Sequence, residues 1–345
     1  MAEVKKNIAI VAGGYSSEYK VSLRSAEGLY SFMDNDTYNI YRVLLDRQQW
    51  SVLLMDGNRA TVDRNDFSFK LPDGSKVKFD FAYITIHGTP GENGLLQGYF
   101  EMLQIPYSTC NPLASALTFN KYTCAQFLKS QGISVPDAIR LYAGEKINPE
   151  KIIEQLGLPV FVKPNDGGSS FGVTKVKEAA WLDQAIHKAF QEGAEVVIER
   201  FIPGTEVTCG CYKTDRKTVV FPVTEVVTEN DFFDYGAKYN GESQEITPAR
   251  ISTELTMQIQ HETARIYDII GAKGLIRIDY IIPSDNPPVM LEINTTPGMT
   301  AASFIPQQIK AARLDIKDVM SDIIEHEFKQ VIKKANEARS TGFRL

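Results

Sequence analysis

Two different hydrophobic periods alternate along the first third of the chain, and this alternation limits the fold more than any other feature. Ile8 to Val11 is a short buried-strand pattern ending in Gly13-Gly14, and Val21 to Met33 then carries apolar residues at helical spacing. Ile40 to Leu45 and Phe81 to Ile86 read as further strands, and Leu95 to Leu103 as a helix. Strand alternating with helix predicts an α/β fold with a parallel sheet over about the first 105 residues. Ile105-Pro106-Tyr107 and Asn111-Pro112 interrupt the pattern and mark a first boundary.

Beyond that boundary a helix is expected near Asn120 to Gln131, then strands over Pro159 to Lys163, Val173 to Val176 and Val196 to Glu199, with a helix over about Glu178 to Gln191. A third unit opens with Glu206 to Tyr212 and continues in strands to Val227. A polar stretch, Thr228 to Gln244, precedes a helix over Thr253 to Ile270, strands Gly274 to Ile282 and Val289 to Asn294, and C-terminal helices. At 345 residues the chain is long enough for two or three domains, and the expected division is 1–106, 107–204 and 205–345.

Charge narrows the partners. With 37 basic against 43 acidic residues the net charge is −6, and no strongly basic segment stands out, so no nucleic-acid partner is expected. An anionic small molecule remains compatible, because a few lysines can converge in one cleft of an acidic protein. No apolar run approaches the roughly 20 residues of a membrane span, and Met1 to Lys6 lead into a strand without a signal-peptide core. A cytoplasmic protein with no membrane partner is the expectation. The four cysteines (Cys110, Cys124, Cys209, Cys211) lack zinc-site spacing and are expected as buried, reduced thiols, with Cys209 and Cys211 on one strand face.

Several segments carry chemistry. Lys163 to Gly172 is a lysine at a strand end followed by a glycine- and serine-rich hairpin loop containing Ser169 and Ser170. Glycines let backbone N–H groups approach phosphate oxygens and serines add donors, though an ordinary hairpin beside a surface lysine has the same sequence. Arg277 and Asp279 lie two apart on one expected strand, and Glu292 and Asn294 two apart on the next, so each pair shares a face. Were the strands hairpin neighbours, they would form an oxygen-rich patch suited to Mg²⁺; a solvated polar edge is the competing reading. Burying those carboxylates without a cation is costly, which favours the metal. Gly298, in the loop before the next helix, could offer a backbone N–H to an oxyanion, and Ser303 could hold a carboxylate at that helix's start; a capped turn explains the segment equally. His87 to Gly94 follows a buried strand, where open α/β sheets place ligands, although a histidine that only stabilises its loop by hydrogen bonding reads the same; Gly13 to Glu18 repeats that geometry at the first strand, where offsetting the positive end of the next helix explains Glu18 as well.

Taken together and in order, these segments resemble the D-alanine–D-alanine ligase family of the ATP-grasp fold. The blocks are Gly13 to Glu18 with Val21 to Leu23, His87 to Gly94, Lys163 to Gly172, Glu199 to Glu206, Asp234 to Tyr239, Arg277 to Asp279, and Glu292 to Ser303, spanning nearly the whole chain. The resemblance implies a three-domain fold, its N-terminal domain a parallel α/β unit, with ATP between the central and C-terminal domains and a lid at about 228–244. By the same resemblance Lys121, Lys163 and Lys238 contact ATP phosphates, helped by Ser169 and Ser170, while Glu199 and Ile202 hold adenine and Glu206 the ribose. Asp279, Glu292 and Asn294 bind two Mg²⁺ ions, with Mn²⁺ able to substitute.

Glu18, with His87 nearby, takes the first D-alanine, and Ser303 takes the carboxylate of the second. Arg277 and the Gly298 N–H form the oxyanion site, and Glu18, Ser169 and Tyr239 form a hydrogen-bonded triad that closes the loop. Asn93 and Gly236 stand where the family usually has acidic residues, neither as a direct ligand. The implied activity is ATP-dependent condensation of two D-alanines through a D-alanyl phosphate for cell-wall precursors, by a homodimer. Ligases using D-lactate or D-serine as second substrate, another ATP-grasp ligase, and a non-catalytic ATP sensor are the alternatives. Tyr239 favours D-alanine as second substrate, and the retained lysines and metal-type ligands argue against a sensor.

Overall fold

The structure, a computed structural model, describes residues 5–168, 171–228, 243–284 and 287–340. Three sheets organise it. The first contains β1 (Lys6–Gly13), β2 (Tyr38–Leu45), β3 (Trp50–Leu53), β4 (Arg59–Asp63), β5 (Ser68–Lys70), β6 (Lys76–Lys78) and β7 (Phe81–Ile84), in the order β6-β5-β4-β3-β2-β1-β7. Its β2-β1-β7 part is parallel, as the sequence pattern predicts. The expectation of a parallel sheet throughout needs correcting, because β3 to β6 add on antiparallel through short turns. These four strands are only three to five residues long and carry polar residues, so no hydrophobic period announces them.

Central β1 is buried on both faces. Ile8 and Ile10 face a core built with α1 (Tyr19–Phe32) and with Ile305, Ile309 and Ile323 from near the other end of the chain, whereas Ala9 and Val11 face an aromatic core around Phe67, Phe69 and Phe100. Ser22 of α1 accepts a hydrogen bond from the Gly13 N–H (2.9 Å) and donates to the Thr85 carbonyl (2.7 Å), tying the helix to the C-terminal ends of β1 and β7. After β7 come α2 (Leu95–Met102), α3 (Pro112–Phe119) and α4 (Lys121–Ser130). Asn111 and Asn120 cap α3 and α4 through their side chains.

The second sheet is antiparallel: β8 (Ala138–Tyr142), β9 (Val160–Pro164), β10 (Thr174–Val176) and β11 (Glu195–Arg200), in the order β10-β9-β11-β8. One face buries Val160, Val162, Val196 and Ile198 against α5 (Pro149–Leu156) and α6 (Leu182–Phe190). Period-two alternation therefore turns Phe161, Lys163 and Glu199 to the opposite face. The third sheet holds β12 (Thr205–Lys213), β13 (Thr218–Val220), β14 (Thr224–Thr228), β15 (Ser243–Ile246), β16 (Leu275–Ile282) and β17 (Val289–Asn294), in the order β15-β14-β12-β16-β17 with β13 paired to β12. Its core takes Cys209, Cys211, Ile276 and Ile278 together with Cys124 and Leu128 of α4 and Ile259 and Ile266 of α7 (Thr253–Ile269). Two further helices follow, α8 (Phe304–Ala311) and α9 (Ile316–Ser340).

All four cysteines are buried and unpaired, and burial pushes their thiols up to about 11 for Cys110 and about 12 for the others. Cys209 and Cys211 face one core, as expected. Among the described residues no helix is long and apolar enough to cross a membrane.

Candidate active site

The two chemistry-bearing strands, β16 and β17, are antiparallel neighbours, with Arg277 opposite Asn294 and Asp279 opposite Glu292. The face-sharing read from residue spacing is therefore present, and all four side chains belong to one patch. Arg277 grips Asp279 with a two-pronged fork, Nε to Oδ1 and Nη2 to Oδ2, both 2.8 Å. Thr208, opposite Asp279 on β12, donates to Oδ1 at 2.6 Å, and the Asn294 amide donates to Oδ2 at 3.1 Å. The Arg277 guanidinium also lies 5.1 Å from the centre of the Phe304 ring. Among the described residues no three His, Cys, Asp or Glu side chains converge as a metal-holding group. Two carboxylates and an amide nevertheless suit Mg²⁺, which commonly takes one or two carboxylates and completes its octahedron with phosphate oxygens and water. The donor set fits the ion.

A cavity of about 250 Å³ opens beside this patch, lined by Glu18, His87, Glu92, Lys121, Arg277, Gly298 and Ser303 among others. Glu18 stands at the start of α1 and is buried. A Cβ at Gly168 would lie 3.0 Å from both Glu18 carboxylate oxygens, so the Lys163–Gly172 loop passes directly over this carboxylate. His87 is buried after β7, its Nε2 3.3 Å from the Ser25 hydroxyl. Burial holds its imidazole below the usual range, with Glu18 opposing the shift, so the ring is neutral near pH 7.

Glu92 was not picked out from sequence. It accepts a 2.6 Å hydrogen bond from the Gly88 N–H, and burial, then the Glu18 carboxylate, pushes it up to about 8. Its place in the His87–Gly94 block was the available signal, but a glutamate at a helix start reads the same when it is exposed. Glu245 of β15 lines the same cavity and was also missed.

The loop from Thr295 to Ser303 forms the far wall. Ser303 is the N-cap residue of α8, and its hydroxyl accepts from the Thr300 N–H at 3.1 Å. A Cβ at Gly298 would sit 3.0 Å from Ser303 Oγ, so the two are adjacent. Behind the loop, the Met299 N–H donates to Ser25 of α1 at 3.4 Å.

A second cavity, about 450 Å³, lies between the second and third sheets. Phe161, Ile202, Ile281 and Leu291 give it apolar walls, and Lys163, Glu199 and Glu206 stand along it. Lys163 pairs with Glu199 at 2.7 Å with both side chains largely buried. Lys121 opens α4 and donates through Nζ to the Gly167 carbonyl, while the Asn165 side chain accepts from the Tyr122 N–H at 2.8 Å, so the loop and α4 are fastened together. The two cavities share Lys121, Gly167, Gly168, Glu292 and Phe304. The two spaces are therefore in contact, the larger with an apolar end and with Lys121 and Lys163 on its wall, the smaller lined mainly by polar and charged groups. Ser169, Ser170, Lys238, Tyr239 and most of the 228–244 stretch lie outside the described residues; at its ends, Thr228 of β14 pairs with Ser243 of β15.

Two family models match the chain, "D-ala D-ala ligase N-terminus" over residues 7–110 and "D-ala D-ala ligase C-terminus" over 127–325. The chain belongs to the D-alanine–D-alanine ligase family. It is 66% identical over 326 residues to a D-alanine–D-alanine ligase of Parabacteroides distasonis, covering 94% of this chain and 98% of that one. Among solved structures it resembles the VanG D-Ala:D-Ser ligase of Enterococcus faecalis (TM-score 0.83, 33% identity, 94% of this chain and 100% of that one). It also resembles the D-alanine–D-alanine ligase of Bacillus anthracis complexed with ATP (TM-score 0.75, 28% identity, 95% and 99%). The fold is ATP-grasp, and the activity that goes with this membership is ATP-dependent ligation of D-alanine.

Proposed function

We propose that the larger cavity holds ATP, the smaller one holds two D-alanines, and the shared rim at Lys121, Gly168 and Glu292 is where phosphoryl transfer takes place. The observation that carries this reading is the contact between the two cavities through those shared residues. Adenine is assigned to Glu199 and Ile202 and ribose to Glu206. Lys163, 2.7 Å from Glu199, then stands beside the α-phosphate end, with Lys121, Lys238, Ser169 and Ser170 along the remaining phosphates.

Asp279, Glu292 and Asn294 would hold two Mg²⁺ ions, which neutralise triphosphate charge when bound; Mn²⁺ would substitute. A carboxylate approaching a nearly tetra-anionic nucleotide is repelled, and the lysines reduce that repulsion. Glu18 takes the ammonium of the first D-alanine, with neutral His87 beside it, so its carboxylate is left facing the γ-phosphate. The resulting D-alanyl phosphate is open to hydrolysis, which residues 228–244 would prevent as a lid, closed by the Glu18–Ser169–Tyr239 triad. Ser303 seats the carboxylate of the second D-alanine. When its amine attacks, the tetrahedral oxyanion rests on Arg277 and the Gly298 N–H; losing one such donor typically costs about 10²–10³ in rate. The division 1–106, 107–204 and 205–345 assigns the first D-alanine to the N-terminal domain and ATP to the other two. We place the enzyme in the cytoplasm as a homodimer, supplying D-Ala-D-Ala to peptidoglycan synthesis.

The test is phosphate release from ATP and Mg²⁺ with D-alanine, L-alanine, D-serine and D-lactate, each alone and each added to D-alanine, with products weighed by mass spectrometry. D-Ala-D-Ala from D-alanine alone, and no dipeptide from L-alanine, is the expected result. Products only when D-serine or D-lactate joins D-alanine would move the assignment to a mixed ligase. No turnover from protein that still binds ATP would overturn it in favour of a sensor.

A further inference from the structure

The strand that follows residue 242 brings to the smaller cavity a carboxylate that the scheme above leaves unused. Glu245 sits on β15 opposite Val226 of β14, half-buried, and its Oε2 accepts a hydrogen bond from the Gln307 side-chain amide of α8. The same amide nitrogen donates to the Ala302 carbonyl at 2.8 Å, so both of its protons are committed. Gln307 thereby fixes the Glu245 carboxylate over the first turn of α8, the turn that begins at Ser303. Both Glu245 and Ser303 line the cavity. Among the described residues Arg277 is a cation that acts on Glu245, and its attraction offsets part of the burial that disfavours the carboxylate's charge.

Consider what must lie between these groups. An amino-acid acceptor is a zwitterion. With its carboxylate at Ser303, its amino group lies on the Arg277 and Gly298 side, where the new bond forms. The Arg277 guanidinium is held by Asp279 and offers an ammonium no partner, whereas a carboxylate on the neighbouring wall does. The other carboxylates of the cavity are committed elsewhere: Glu18 and Glu92 lie by the His87–Gly94 loop, and Glu292 belongs to the β17 patch. A hydroxy acid of the same size carries a carboxylate and no ammonium, so at this seat it is a net anion that Glu245 repels.

We propose that Glu245, held in place by Gln307, is a specificity-determining residue that favours a zwitterionic amino-acid acceptor over an anionic hydroxy acid. The proposal rests on the assignment of Ser303 as the acceptor seat, and its test separates the two. Glu245→Gln keeps the shape and an oxygen for Gln307 but removes the charge; Glu245→Ala removes both. Each is assayed with ATP, D-alanine and D-lactate, measuring KM for the first and second D-alanine separately and counting dipeptide against depsipeptide by mass. The expected result for Glu245→Gln is a KM for the second D-alanine raised about tenfold, KM for the first D-alanine and for ATP unchanged, and a depsipeptide fraction raised at least about fivefold. Wild-type acceptor KM and product ratio in Glu245→Gln would overturn the proposal, as would a change seen only in Glu245→Ala, which marks a purely structural clasp. Ser303→Ala serves as the control on the seat. If it leaves the acceptor KM unchanged, the underlying assignment fails, whatever Glu245 does.

Discussion

Replacing Gly28 by alanine puts a methyl group where the loop carrying Gly298 already stands. Gly28 lies inside α1, and a Cβ there would sit 2.1 Å from the Met299 carbonyl oxygen, 3.0 Å from its carbon and 3.2 Å from Thr300 Cα. To restore an ordinary contact the loop must retreat by ~1.3 Å. Alanine gains up to about 1 kcal/mol of helix propensity at an interior position, whereas forced backbone displacement in a packed site costs about 1–3 kcal/mol and sometimes more. With the full propensity gain, the balance is a destabilisation of about 0–2 kcal/mol. Activity should suffer far more than stability. Met299 follows the proposed oxyanion donor directly, and a misplacement of about 1 Å at reacting groups can cost roughly 10²-fold in rate. Gly98 is the matched control: it lies inside α2 with no atom within 4 Å of its would-be Cβ, so Gly98→Ala should raise the thermal midpoint slightly and leave kcat unchanged. The assays are thermal denaturation and steady-state dipeptide synthesis. A Gly28→Ala enzyme with wild-type kcat and midpoint would refute the claim that α1 fixes the oxyanion loop.

Three further outcomes follow from the same geometry. Asp279→Ala should fold, as judged by circular dichroism, while dipeptide synthesis drops by at least about 10³; substantial Mg²⁺-dependent ATP consumption by that folded variant would contradict the metal assignment. Glu18→Gln should raise KM for the first D-alanine by about 30-fold or more, since it removes one partner of a buried charge pair, and an unchanged value would move the first substrate elsewhere. Glu92, pushed up to about 8 from an ordinary 4.5, keeps a proton in the folded state that the unfolded chain has released, so it makes stability fall as pH rises from about 4.5 through 8. Glu92→Gln should flatten that decline in thermal midpoints taken from pH 5 to 9, and parallel curves would exclude the shift.

What the sequence made legible is local. The period of two placed Arg277 with Asp279 and Glu292 with Asn294, and the apolar residues between them left little choice of face. The Lys163–Gly172 hairpin, between β9 and β10, was equally readable from its glycines. Features that depend on meetings between distant segments were not. Gly28 touches a loop some 270 positions away, and nothing near it in the chain requires glycine. Glu245 lies on a short edge strand where an outward glutamate is ordinary, and only its meeting with Gln307 distinguishes it. Strands β3 to β6 escaped for another reason: they are short, turn-linked and partly polar, so pairing of each with the strand before it, starting from β2, rather than intrinsic pattern makes them strands.

The central claim is that the first D-alanine is activated through its own carboxylate oxygen. Supplying D-alanine with ¹⁸O in both carboxylate oxygens and analysing the phosphate released from ATP tests it directly. Attack by that carboxylate predicts one ¹⁸O in each phosphate formed per dipeptide. Phosphate without the label, alongside normal dipeptide yield, would contradict the acyl-phosphate route.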